Sequence, residues 1–151
     1  IKHWNALKLN YSKAPFYKDI ESWMKEIYFE NNFIFLSQLN KILIEEICKF
    51  LGIKTIITDT SDYFIEDGKN ECLVSLCLQA KGSHYISGPS AKNYIDQNFF
   101  KKNNIRLSWF SYNNYVKYDQ LWGDFVHRVS ILDLLFNCGK DSYKYLKKKL
   151  K

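Results

Sequence analysis

The stretch "HYISGPSAKNYIDQNFFKKNNIRLSWF", residues 84–110, decides the fold. "HYIS" at its head reads as a short strand, and Ser87-Gly88-Pro89-Ser90 closes it. Residues 90–102 read as helical in one or two pieces. "IRLSWF" (105–110) then alternates Ile105, Leu107 and Trp109 with Arg106, Ser108 and Phe110, which predicts a half-buried strand towards a sheet edge. Strand, helix, strand in this order predicts a parallel pair joined by a right-handed crossover.

Working outward, "NECLVSLCLQAKG" (70–82) reads as a helix closed by Gly82. Ahead of it "KTIITDT" (54–60) is β-branched and predicts a further strand, so the sheet is expected to have about three. Three helices are expected before that. Residues 1–13 place Trp4, Leu7 and Tyr11 on one face. After Pro15, residues Ile20, Trp23, Met24, Ile27 and Tyr28 keep the spacing of a core-facing stripe. A helix over 36–51, with Ser37 as candidate cap and Gly52 just past its end, buries Leu39, Leu43, Ile47 and Phe50. Beyond residue 120, two helices broken near Gly139 are expected, the first with Val129, Leu132, Leu135 and Phe136 inward. The expectation is α/β: one domain over 1–151, a short, mostly parallel sheet with flanking helices, an N-terminal helical segment and C-terminal helices.

Composition narrows the partners. The formal charge is +6, but residues 140–151 hold six Lys and one Asp, so the other 139 residues carry only about +1. Only Arg106 and Arg128 supply guanidinium groups, and no basic stripe runs through the chain, so no nucleic-acid partner is expected. Lysines at a helix end complement its dipole without any ligand. Cys48, Cys72, Cys77 and Cys138 lack metal or redox spacing and read as buried free thiols, which suits a cytoplasmic location. No run is long enough for a membrane span. The three histidines show no metal-binding spacing, so no metal site is expected, and nothing names a cofactor.

Candidate chemistry follows from position. In parallel α/β sheets, ligands bind beyond the carboxyl ends of strands, which is where Ser87-Gly88-Pro89-Ser90 falls. Gly88 permits close backbone approach, the amides of Ser90 and Ala91 are expected to be free, and Lys92 adds a cation in the same turn. The same residues serve equally as a strand end and helix start with no ligand. His84 precedes the strand and is most simply a satisfied surface histidine; it stands as a candidate catalytic group. Asp133, inside "SILDLLF", must face water, meet a partner or have a perturbed pKa, and Ser130 lies one turn earlier. The alternative is a hydrogen bond that fixes this segment. Tyr115, Tyr118 and Gln120, after the last strand, are candidates for lining a pocket for a polar ring such as a sugar.

"YSKAPFY" (11–17), "HYISGPSAKNYI" (84–95), the spacing of Tyr118, Gln120 and Phe125, and "SILDLLFNCG" (130–139) together resemble the WbqC-like family of bacterial proteins, nearly end to end. Members of that family usually begin with a further Gln-Pro-x-Tyr-x-Pro-x-x-Gly-Tyr-Phe segment, absent from this sequence, so the resemblance implies the C-terminal part of a longer protein. It also implies work on an activated sugar or glycan precursor in O-antigen or other surface-polysaccharide biosynthesis, with attachment of glycine or another amino acid to a sugar as the proposed reaction. On that reading Ser87, Gly88, Ser90 and Lys92 hold a phosphate or carboxylate, Tyr85 and Tyr118 contact the sugar, and Gln120 and Ser130 support the site. Asp133 orients a neighbour or serves as base. The alternative is a non-catalytic protein that binds a sugar nucleotide or docks onto a glycosyltransferase complex, favoured by the lack of a local nucleophile–base pair.

Overall fold

The computed structural model describes residues 2–113 and 115–146. The last residues of the basic tail, 147–151, lie outside them. The order is α1 (Lys2–Tyr11), α2 (Tyr17–Phe29), α3 (Leu36–Phe50), α4 (Lys69–Gln79), β1 (His84–Ser87), α5 (Gln97–Lys102), β2 (Arg106–Trp109) and α6 (Ile131–Cys138), with 3-10 turns at Thr60–Asp62, Pro89–Asn93 and Gly139–Tyr145. The described chain divides into two compact units, residues 2–56 with 115–146, and residues 57–113.

The α/β class holds, with two strands rather than three among the described residues. β1 and β2 run parallel, His84 opposite Arg106 and Ser87 opposite Trp109. The β-branched run 54–60 forms no ladder, and Ile56 is 86% exposed. β propensity is realised only against a neighbouring strand, and the polar end of this run bonds locally instead. Asp59 Oδ1 accepts from the Ser61 amide at 3.0 Å, and Asp62 Oδ2 accepts from the Asp59 amide at 2.9 Å, which favours a turn.

In the first unit, α1 and α2 bring Trp4, Leu7, Ile20 and Met24 against Leu135 and Phe136 of α6. The helix α3 is only half-buried on this core: Leu43, Ile47 and Phe50 pack against it, and none of its residues is fully buried. Ser37 does not cap α3. The Gln38 side-chain oxygen reaches back to accept from the Ile34 and Phe35 amides, each at 3.2 Å. At the other end Gly52, φ +69°, takes the left-handed position expected, with the Ile53 amide donating to Cys48 O at 2.8 Å. Cys48 is half-buried, as are Cys72 and Cys77, and Cys138 is buried; all four are free thiols.

In the second unit, Val74, Ala91, Ile95, Phe100 and Ile105 form a separate core beneath the strand pair. Lys81 (φ +55°), not Gly82, takes the left-handed residue that ends α4, and the Gly82 amide donates to Cys77 O at 2.7 Å. The helical segment 90–102 is in two pieces, divided by Asp96, whose Oδ1 accepts from the Asn98 amide at 2.8 Å and caps α5.

Candidate functional site

The helix α6 is apolar all round, and every residue from Leu132 to Cys138 is buried. Ser130 begins it as N-cap, its hydroxyl accepting from the Leu132 amide at 3.3 Å. Val129, expected inward, is exposed because it precedes that cap. After Cys138 the chain forms a 3-10 turn rather than a second α-helix. Asp133 as a residue is only 8% exposed, a place where an unpaired charge is costly.

Its partners are neutral donors. Tyr118 Oη donates to Asp133 Oδ2 at 2.7 Å and Gln120 Nε2 donates to the same oxygen at 2.9 Å. The hydroxyl of Tyr11 also hydrogen-bonds the Asp133 carboxylate, while its ring stacks on Phe136 at 4.6 Å. Burial pushes the Tyr11 phenol up to about 12, and the Asp133 charge and hydrogen bond add to this. Burial likewise raises Tyr118, with the Asp133 bond reinforcing it and Gln120 opposing. Gln120 is fully engaged: its Oε1 accepts from the Val126 amide at 2.7 Å, and its Nε2 donates also to Val126 O at 3.0 Å. Tyr118, Gln120, Ser130 and Asp133 are therefore brought together on one helix start and one loop. The expected partner for Asp133 exists, and a third, Tyr11, was missed. Its hydroxyl looked like part of an apolar helix face.

Tyr115 lies in the same unit, and the other sequence-selected residues belong to the second unit. Tyr85 packs its ring on Phe100, centroids 5.3 Å apart, and its hydroxyl hydrogen-bonds Ser87. The segment after β1 is a five-residue 3-10 turn with Gly88 before it and no side-chain cap. Of the two amides expected to be free, that of Ala91 is not: it donates to Gly88 O at 3.2 Å. Gly88 itself has an ordinary φ of −69°, and a Cβ placed on it would find only Tyr112 Oη, at 4.0 Å. Neither backbone nor packing demands glycine there. Ser90 and Lys92 are exposed in the same turn. His84 is not with them. It is the first residue of β1, at the opposite end of the strand, and its Nε2 lies 2.8 Å from Ser108 Oγ across the pair.

Among the described residues, no group of three or more His, Cys, Asp or Glu side chains is placed to hold a metal ion. No described helix is long and apolar enough to cross a membrane. An open groove lined by Glu66, Asp67, Lys69, Cys72, Leu73 and Tyr94 contains none of the residues selected above.

The WbqC-like protein family model matches residues 1–145. The uncharacterized protein Rv1507c of Mycobacterium tuberculosis (strain ATCC 25618 / H37Rv) is 47% identical over 145 residues, covering 96% of this chain. The match takes in 63% of that relative, so the chain spans less than two thirds of its length. No solved structure gives a significant match.

Proposed function

From the membership of this chain in the WbqC-like protein family we propose that it acts in the cytoplasm as a transferase of surface-polysaccharide assembly, placing glycine or another amino acid on an activated sugar. The observation that supports this reading is the Asp133 cluster. A buried carboxylate held by two phenols and an amide, with no ion pair to a cation among the described residues, is a costly arrangement for a buried helix to carry. Tyr118 commits its proton to Asp133, and its oxygen, which already accepts from Gln120 Nε2 at 3.4 Å, keeps one further lone pair for a substrate hydroxyl or amine. Asp133 is on this reading a positioning residue that aims Tyr118. Ser87, Ser90 and Lys92, in the second unit, are polar groups of a kind that suits an anion.

Incubation of the protein with a panel of nucleotide sugars and either glycyl-tRNA or glycine plus ATP, followed by mass spectrometry, tests the reading. A glycyl-sugar product is expected. Tyr118→Phe, which keeps the ring, should lower turnover at least tenfold and also cost on the order of 1–3 kcal/mol for the hydrogen bond lost to the buried carboxylate, and Asp133→Asn should likewise lower both turnover and melting temperature. Product formation undiminished in both variants would remove the cluster from the reaction.

A second reading, non-catalytic binding of a nucleotide sugar, is favoured by one observation. Both polar ends of Gln120 are spent within the protein, as a purely structural hub requires. Binding of the same panel without any product would select it.

A further inference from the structure

Among the described residues, β1 and β2 have only each other as ladder neighbours, so the outer edge of β2 is free. The Arg106 amide donates to Ser83 O at 2.8 Å and the Phe110 amide to Ser87 O at 2.7 Å. The alternation of the strand therefore turns the Leu107 amide away from β1. A groove of about 450 Å³ runs here, its lining including Asn98 and Lys101 of α5, then Asn104, Ile105, Arg106 and Leu107, and no residue of β1. Successive side chains of a strand point to opposite faces, so a groove that meets residues 105, 106 and 107 in turn follows the edge itself.

The turn between α5 and β2 fixes this groove. The Ile105 amide donates to Phe100 O at 3.0 Å and the Asn104 amide to Lys101 O at 3.1 Å, with Asn104 left-handed at φ +58°. This is the Schellman pattern, and Phe100 and Ile105 meet in the second core behind it. Leu107 packs on the same core, so α5 lies on the face to which Ile105 and Leu107 point. Lys101 thus flanks the edge from the helix face, and Arg106 leaves from the opposite face. Both are exposed, neither makes an ion pair among the described residues, and no carboxylate lines the groove. The dipole of α5 accounts for a lysine in its last turn, but Arg106 lies beyond the helix and has no such role.

This arrangement selects its occupant. A strand laid along β2 also alternates, so two neighbouring side chains of it point one to Lys101 and the other to Arg106. Charges on an edge ordinarily ward off other strands. Here both have one sign, so the guard is selective. A second copy pairing through the same groove sets these two cations against its own, like charge against like. An acidic strand is attracted instead. We propose that the free edge of β2 takes an extended segment of a partner protein by strand addition, the Leu107 amide bonding its backbone and two consecutive acidic side chains meeting Lys101 and Arg106. This interaction is independent of the transferase reading.

Fluorescence anisotropy with labelled synthetic peptides tests it. All share a Thr/Val frame; one carries Glu-Glu at its centre, one Glu-Thr-Glu, one Lys-Lys, and one is the Glu-Glu peptide N-methylated at its central amides. The Glu-Glu peptide should bind at least tenfold more tightly than each of the others, and more weakly at high salt. Arg106→Gln and Lys101→Gln should each weaken it about tenfold at unchanged melting temperature, since both side chains are exposed. Equal binding of the N-methylated peptide would mean that the strand edge is not used. Equal binding of Glu-Thr-Glu would mean that the two cations do not read opposite faces. Displacement by inorganic phosphate at comparable concentration would make the groove a small-anion site. Each of these results overturns the proposal. So does failure of the Glu-Glu peptide to bind, binding to both variants within twofold of the parent, or a dimer in sedimentation that Arg106→Gln dissolves.

Discussion

Two tyrosines make the clearest residue-scale statement about pH. Tyr11 and Tyr17 are each raised to about 12, the first by burial and the Asp133 charge, the second by burial and its hydrogen bond to Glu21. A phenol whose folded pKa lies above its unfolded value of about 10 stabilises the fold fully below that value. The contribution is then lost as pH rises through the folded pKa, because the unfolded chain releases its protons first. Stability measured by urea titration should therefore hold constant up to about pH 10 and fall between about pH 10 and 12. Tyr11→Phe, which lacks the titrating group, should flatten part of that fall. Identical slopes in the two proteins would show that Tyr11 does not meet Asp133. The sequence leaves Asp133 to face water, meet a partner or have a perturbed pKa, and singles out Tyr118 and Gln120 separately. It did not join them, since 13 residues separate Gln120 from Asp133 and no local periodicity carries that distance.

At the scale of elements, α6 depends on how it ends. Gly139 has φ +53° and ψ −133°, a region almost closed to residues with a Cβ. It is also buried, and a Cβ there would lie within 2.6 Å of Phe16 Cγ. The Phe16 amide donates to Phe136 O at 3.0 Å, which holds the backbone in place, so relief would have to come from rotation of the ring. Gly139→Ala should cost on the order of 2–4 kcal/mol, read as a fall of several degrees in melting temperature. A variant as stable as the parent would mean that the turn re-forms at no cost. Most element boundaries were legible: the two ladder strands, the stripe on α2 and the Gly52 cap follow from local pattern, while the place where 90–102 divides was left open. The errors have local causes too. Ser37 lost to Gln38, Gly82 to Lys81, and the β-branched run at 54–60 to side-chain hydrogen bonds of Asp59 and Asp62.

At the scale of the whole molecule, charge distribution bears on partners. The excess of positive charge is concentrated in the last twelve residues, and only two arginines are present. We expect no retention of duplex DNA or single-stranded RNA in a gel shift at about 150 mM salt, where phosphate contacts are already weakened. Salt-sensitive binding that disappears on deletion of residues 147–151 would contradict this and make the tail a nucleic-acid anchor. By itself the sequence determined the α/β class, the helices, the strand pair and the family, because periodicity, caps and turn residues act over a few neighbours. Only the tertiary structure decided that there are two separate cores. It alone also decided that Asp133 is held by Tyr11, Tyr118 and Gln120, and that Lys92 lies over the Trp109 ring. Those pairings join residues far apart along the chain, and they form only after the apolar faces have packed and set which side chains meet.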